Sequence, residues 1–312
     1  MPTRADLFTD LDVECTPDAP IGPLTWYGVG GRADMLVSPN SIEALADLLR
    51  RCRMNETAVR VLGGGANLLV ADDGVDGVVL RLDRPCFTAV DYNRRGSVTA
   101  ARVGGGVDLF GLIHALGRSA LAGFEHMAGI PGTLGGAIRM NAGGTPGDVA
   151  QALESVDVLA FDGELRTFTA TELAFRYRGS DLPAGIVTNA VLELHEDDPV
   201  EVRHRVLHFF SMKKAAQPMA DHSAGCAFRN PVDPESNERV SAGKLIDVAG
   251  LKGVSCGGAQ VSTQHANFIT VDPQGTASDV ETLMQLVQEQ VQQDSGMRLE
   301  REVVVWSRGG AA

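Results

Sequence analysis

The sequence predicts an α+β protein of two parts, a larger N-terminal region that approaches a ligand through glycine loops and a smaller C-terminal region. Three observations lead there. Strand-like and helix-like segments of ordinary length alternate through all 312 residues, which are 44% hydrophobic and 21% charged, so the chain can bury a core and is not disordered. Its 36 glycines exceed the ~7% usual in globular proteins and gather at segment ends without a collagen-like period. The composition then changes near residue 200, which divides the chain into a cofactor region, 1–200, and a substrate region, 201–312.

Pro39-Asn40-Ser41 precedes the apolar positions Ile42, Leu45, Leu48 and Leu49, a capped amphipathic helix, and Val59–Leu62 alternates as a short strand. Gly63-Gly64-Gly65-Ala66-Asn67 ends that strand, and Gly77–Arg81 reads as the next one after a turn at Asp72-Asp73-Gly74. Following a second cluster at Gly104-Gly105-Gly106, residues 107–119 read as a helix, and Gly129–Ala137 is too glycine-rich for either regular element. Strands return at 155–160 and 185–194, with Asp162-Gly163 as a hairpin turn leading to Leu165–Phe168.

Beyond that, Pro199–Lys214 is an amphipathic helix carrying Val202, Val206, Phe209 and Phe210. A helix around Leu245, Ile246 and Val248, a strand at 267–271, a long helix and a strand at 302–306 complete the tail. The long helix reads as capped by Ser278 with Glu281, with Val280, Leu283, Met284, Val287 and Val291 on its core face.

Glycine runs at strand ends gather backbone N–H groups toward one point, which cradles a pyrophosphate without cationic side chains. Gly28-Val29-Gly30-Gly31 imitates a dinucleotide fingerprint, but Thr25-Trp26-Tyr27 is a poor strand and no helix signal follows. The net charge of −13 argues against nucleic acid or anionic membranes as partners. Five scattered cysteines, no Cys-x-x-Cys pair, no apolar run of membrane-spanning length and no export core at the N-terminus lead to the expectation of a reduced, soluble, cytoplasmic protein. His204 and His208 share a helix face, yet Arg205 follows His204 and no third ligand is spaced to join them, so no metal is expected.

The segment Gly225-Cys226-Ala227-Phe228-Arg229-Asn230-Pro231 puts a thiol among groups suited to an anion. It resembles, together with Tyr27–Gly31, Gly63–Val70, Gly129–Ala137, Met140-Asn141-Ala142-Gly143, Tyr177-Arg178-Gly179-Ser180, Ala242–Asp247, Leu251-Lys252-Gly253, His265–Phe268 and Leu299–Val303, the ordered motifs of the UDP-N-acetylenolpyruvoylglucosamine reductase family. The likeness spans nearly the whole chain and fits the shorter of two subtypes.

The resemblance implies a vanillyl-alcohol-oxidase-type FAD-binding fold of two subdomains plus a smaller C-terminal α+β substrate domain. It further implies noncovalent FAD, NADPH as hydride donor, and reduction of UDP-N-acetylglucosamine enolpyruvate to UDP-N-acetylmuramate, the UDP-N-acetylmuramate dehydrogenase reaction. That reaction serves peptidoglycan synthesis and so cell shape and division. Gly63, Gly64, Gly65, Ala66, Asn67, Ile130, Pro131, Gly132, Thr133, Gly136 and Ala137 would hold the flavin. Arg178 would bind the enolpyruvyl carboxylate, Cys226 would donate the proton where many members carry serine, and Glu302 would steady the developing charge, with Glu300 as the alternative on the same strand.

Tyr177, Lys214, Asn230, Lys252 and His265 would bind the sugar nucleotide, with either Lys213 or Lys214 fitting the motif, while Gly143–Asp148 departs from the family pattern. Small-molecule substrates and a monomer are expected. Two rivals are a flavin-dependent oxidase of the same fold, against which residues 60–72 lack a histidine for attachment, and an inactive nucleotide binder, against which all three catalytic positions are filled.

Overall fold

The computed structural model describes residues 7–144, 147–218 and 222–310. The export-signal reading at residues 1–6 and the Thr145-Pro146 part of the Gly143–Asp148 stretch lie outside the described residues. Two compact units are formed. The first comprises Met1–Pro17, Met35–Gly64 and Gly77–Lys213, and the second Asp18–Asp34, Gly65–Asp76 and Lys214–Ala312.

In chain order the elements begin with β1 (Val13–Pro20), β2 (Arg32–Pro39), α1 (Ile42–Met54), β3 (Val59–Val61), β4 (Leu68–Val70), β5 (Val75–Leu80) and α2 (Pro85–Thr88). There follow β6 (Val90–Arg95), β7 (Val98–Gly104), α3 (Leu109–Arg118), β8 (Leu121–Ala122), α4 (Leu134–Met140), β9 (Gly143–Gly144), β10 (Gly147–Asp148), β11 (Leu153–Leu159), β12 (Leu165–Thr169) and β13 (Ile186–Glu196). The remainder is α5 (Pro199–Ala216), α6 (Ala242–Val248), β14 (Ser255–Cys256), β15 (Ala259–Val261), β16 (Ile269–Val271), α7 (Ala277–Ser295) and β17 (Val304–Trp306).

The first unit has two cores. In one, Leu45, Leu48, Leu49 and Cys52 of α1 pack on Met35 and Val37 of β2 and on Val78 and Leu80 of β5, in the sheet ordered β1-β2-β5-β3. Ser41 caps α1 as the sequence predicts, its Oγ accepting from the Ala44 amide at 3.0 Å. In the other, the sheet β12-β11-β13-β7-β6 presents Ala190, Leu192 and Leu194 to Leu109, Leu112 and Ile113 of α3, Leu134 and Ile138 of α4, and Val206 of α5. The Asp162-Gly163 turn closes the β11–β12 hairpin, with the Ala160 amide donating to the Glu164 carbonyl at 2.9 Å.

The second unit buries the predicted α7 stripe, Val280, Leu283, Met284, Val287 and Val291, against Ile246 of α6 and the sheet β14-β15-β16. Its cap differs from the sequence expectation. Thr276 and Asp279 form the capping box, and α7 starts at Ala277. Ser278 is engaged elsewhere, since its hydroxyl donates to Asp72 Oδ2 at 2.7 Å while its amide donates to the same oxygen at 2.9 Å. Strand β17 pairs parallel with β4, Val304 opposite Leu68.

Two glycine-rich stretches also turn out differently or are clarified. The second half of Gly129–Ala137 is helical after all, because Leu134, Ala137 and Ile138 offer an apolar face to the sheet core. Gly135 is there for close approach, since a Cβ at that position would lie 2.9 Å from the Gly105 carbonyl oxygen. Gly28–Gly31 starts no helix, and Gly30 passes so close to Val70 that a Cβ would fall 2.1 Å from its carbonyl oxygen.

Candidate active site

In the first unit, two loops that are seventy residues apart in sequence run backbone against backbone. A Cβ on Gly64 would stand 2.6 Å from Gly132 Cα, and one on Gly63 would stand 2.7 Å from Thr133 Oγ1. The N–H groups of Gly63, Gly64, Gly132 and Thr133 have no hydrogen-bond acceptor among the described residues. Unpaired amides gathered in this way are donors waiting for an anionic or carbonyl-bearing ligand. The carbonyls of the second loop are used structurally, with the Leu109 amide donating to Gly132 O at 3.0 Å.

These loops border a groove with about 650 Å³ of empty space, part of it open to solvent. Leu62, Leu82, Ile186 and Val187 give it apolar walls, and Arg81, paired with Asp83 at 3.5 Å, and Arg139 also line it. An apolar slot beside unpaired amides fits the nucleotide part of a flavin. Sequence reasoning placed Gly63, Gly64, Gly132, Thr133 and Gly136 here and missed Arg139. The Arg139 guanidinium donates to the carbonyls of Leu182 at 3.2 Å, Pro183 at 2.8 Å and Gly185 at 2.7 Å, fixing the segment that leads into Ile186 and Val187. Burial holds its pKa below the ordinary arginine value.

Arg178 also belongs to the first unit. It occupies the left-handed region at φ 55°, in a turn closed by Arg176 and Gly179, whose backbones exchange bonds of 2.9 and 3.0 Å. Its Nη1 donates to the Gly143 carbonyl at 3.0 Å, and its guanidinium lies 5.2 Å from the centroid of the Tyr177 ring. Asn141, buried and itself left-handed, braces the turn by donating from Nδ2 to the Arg176 carbonyl and to Asp148 Oδ2, both at 3.0 Å. Such strain at a cationic turn is held in place by its surroundings. The motif Met140-Asn141-Ala142-Gly143 was legible as a motif, but its bracing of Arg178 was not.

In the second unit the segment carrying Glu302 runs backbone against the loop carrying Cys226. The Glu302 amide donates to the Ala227 carbonyl at 2.8 Å, the Arg229 amide to the Glu300 carbonyl at 2.9 Å, and Phe228 bridges Arg301. Cys226 itself is half-buried and outside any disulfide. Its loop is pinned by the buried Asn267, whose Oδ1 accepts from the Phe228 amide at 3.0 Å, whose Nδ2 donates to Phe228 O at 2.8 Å, and whose carbonyl accepts from Ala227 N at 2.7 Å. Asn67 holds the other side, donating from Nδ2 to the Glu302 carbonyl at 3.0 Å. The amides of Gly65, Ala66 and Asn67 are without acceptors among the described residues.

The sugar-nucleotide candidates fall in both units. Tyr177 is on the first. On the second, Lys252 stands close enough to His265 for its charge to help burial depress the imidazole pKa below 6.5, burial being the larger cause. Lys252 is ion-paired with Asp247 at 2.8 Å. Asn230 Oδ1 accepts from the Ala242 amide at 2.9 Å, at the start of α6. Lys214 is exposed, and Gln264 links the backbone of residues 215 and 217 to the His265 loop with bonds of 3.1 Å. Of the remaining flavin candidates, Ala137 is buried in the sheet core of the first unit, and Ile130 packs partly buried beside it.

Comparison with known proteins agrees with this chemistry. Residues 217–306 match the family model described as UDP-N-acetylenolpyruvoylglucosamine reductase, C-terminal domain, and residues 33–169 match an FAD binding domain. The UDP-N-acetylenolpyruvoylglucosamine reductase of Gluconobacter oxydans is 38% identical over 92% of this chain and 90% of its own. That of Myxococcus xanthus is 40% identical over 91% and 89%. The crystal structure of the Thermus caldophilus reductase superposes with a TM-score of 0.77 at 39% identity, covering 95% of this chain and 99% of that one. Physcomitrella patens BBE-like 1 shares the fold alone, at a TM-score of 0.50 and 20% identity over 62% of this chain and 45% of its own. The fold is thus the vanillyl-alcohol-oxidase type. On these matches over nine-tenths of its length, the chain belongs to the UDP-N-acetylenolpyruvoylglucosamine reductase family.

Proposed function

We infer that this chain is an NADPH-dependent flavoenzyme that reduces UDP-N-acetylglucosamine enolpyruvate to UDP-N-acetylmuramate, the UDP-N-acetylmuramate dehydrogenase reaction of peptidoglycan precursor synthesis. FAD, held by the Gly63–Asn67 and Ile130–Ala137 loops, would supply a two-electron relay between NADPH and the terminal carbon of the enolpyruvyl group. The single observation that carries the reading is the bond from Glu302 N to Ala227 O, which sets the strand bearing the glutamate beside the loop bearing the thiol.

Hydride addition to the terminal carbon leaves negative charge spread over the adjacent carbon and its carboxylate. Arg178 is proposed to hold that carboxylate and so to lower the barrier as charge accumulates. Cys226 is proposed to give its Sγ proton to the carbon bearing the carboxylate, which completes the two-electron, two-proton-equivalent reduction. A thiol, with a reference pKa of about 8.5, is mostly protonated at neutral pH and is a better acid than an alcohol. Glu302, or Glu300 in its place, is proposed to hydrogen-bond the developing charge.

Residues 1–200 are proposed as the flavin-binding domain and 201–312 as the substrate domain, with Gly63–Asn67 and Ile130–Ala137 on the flavin. Tyr177, Asn230, Lys252, His265 and Lys214 are proposed on the sugar nucleotide. A monomeric state and a cytoplasmic location are proposed as well; no helix among the described residues is long and apolar enough to cross a membrane.

The test is anaerobic. NADPH should bleach the bound flavin and the enolpyruvyl sugar nucleotide should restore its colour. Failure of the second step with flavin bound would remove this substrate.

A further inference from the structure

We propose that Lys213 is the second cation of the carboxylate subsite, standing with Arg178 to bind the enolpyruvyl carboxylate of the substrate. The proposal rests on the reading that Arg178 holds that carboxylate.

Lys213 is on the last turn of α5, in the first unit with Arg178. It is half-buried. Its stem lies along Gly129, where an added Cβ would stand 3.2 Å from Lys213 Cδ, and Phe210 flanks the same glycine at 3.6 Å. This packing directs an ammonium inward that has a single long bond, 3.4 Å to the His126 carbonyl, and no carboxylate partner among the described residues. Lys214, the neighbour that the motif fits equally well, is exposed.

The charged groups around Lys213 are otherwise engaged. Glu125 is paired with Arg205 at 2.8 Å, His126 Nε2 is 2.9 Å from the Asp148 carbonyl, and Asp148 Oδ2 accepts from Asn141. His208, on the preceding turn of α5, is exposed. Arg178, bonded to the Gly143 carbonyl, adds positive charge nearby. Burial, with the charge of Arg178 in addition, pulls the Lys213 pKa down to about 8. Two cations held near one another, with no carboxylate for the lysine among the described residues, favour an anionic ligand, and the enolpyruvyl carboxylate is the anion that the reaction brings to Arg178.

The sign of the pH effect follows. Lys213 is charged below about pH 8 and neutral above it, so affinity for a carboxylate ligand should be level below that pH and fall as pH rises through it. The holoenzyme is titrated between pH 6.5 and 9.5 by the shift in flavin absorbance, using the enolpyruvyl sugar nucleotide and, in parallel, UDP-N-acetylglucosamine, which lacks the carboxylate.

Lys213→Met should weaken binding of the enolpyruvyl compound roughly tenfold at pH 7 and remove the pH step, as expected for a charged hydrogen bond. Lys213→Arg should retain affinity and also lose the step, which separates the lysine from other groups that titrate nearby and guards against a folding defect. UDP-N-acetylglucosamine should bind wild type and Lys213→Met alike. Equal losses for both ligands would assign Lys213 to the diphosphate and overturn the proposal, as would unchanged affinity for the enolpyruvyl compound in Lys213→Met. Unchanged affinity in Arg178→Met would instead overturn the parent reading.

Discussion

The glycine loops of the first unit and the thiol loop of the second are built on opposite principles. The first is made of backbone. Gly63 and Gly64 meet Gly132 and Thr133 so closely that a single Cβ would collide, and the donors on offer are amides that no side-chain change can supply or remove. The second is made of side chains. Asn267 and Asn67 hold the chain on either side of Ala227 and Glu302, and the chemistry is proposed to sit on one sulfur. The contrast teaches that a holding site and a reacting site fail in different ways, one by losing its shape and the other by losing an atom.

The sharpest test separates these failures. Cys226→Ala should slow the substrate-reducing step by roughly 10²- to 10⁴-fold, the usual worth of a positioned acid, while flavin content and melting temperature stay as in wild type. Rapid recovery of flavin colour in that variant would remove the thiol from the mechanism. Gly64→Ala should do the reverse, costing about 1–3 kcal/mol of stability through overpacking and reducing flavin per chain, with calorimetry and absorbance as the readouts. A fully loaded, equally stable variant would show that the loops tolerate a Cβ and that close approach is not their purpose.

Arg139→Met removes three bonds to the segment before β13 and should lower stability by about 2 kcal/mol, again with flavin loss, although it alters a side chain rather than a glycine. That outcome would show the backbone site leaning on one side chain of its own. The smallest effect belongs to the second unit. His265 is held neutral by burial, with Lys252 adding to the drop, so the unfolded chain binds the proton more readily. The stability it contributes is present above pH 6.5 and declines as pH falls below it. Melting temperatures of His265→Gln measured against wild type from pH 7.5 to 5 should converge toward acid; parallel curves would mean that the imidazole is not buried in solution.

Much of this was legible in the sequence because it is local. Ser41 before an amphipathic run, Asp162-Gly163 between alternating segments, and the 3.6-residue stripe of α7 each announce themselves within a few positions. The α7 cap was displaced by two residues because Asp72, two hundred positions away, draws on Ser278 and leaves Thr276 to serve. Likewise α4 hid among glycines, of which Gly135 lies against Gly105, a residue that no local pattern connects to it. Arg139 carried no signal of its own and Asn141 showed only as part of a motif, since each acts on carbonyls more than thirty residues along the chain. Local periodicity reports elements; it does not report which loops will meet.

The second unit is stitched from residues 18–34, 65–76 and 214–312, and its last strand, β17, lies parallel to β4 with Val304 opposite Leu68. During synthesis, β4 must therefore wait unpaired on that edge while more than two hundred further residues leave the ribosome. The thiol loop gains its clasp from Glu302 only once that later segment has been made. A chain cut before residue 302 would keep the glycines of both loops and lose the backbone bond from Glu302 to Ala227, so the proposed holding site and the proposed reacting site are completed at different stages of synthesis.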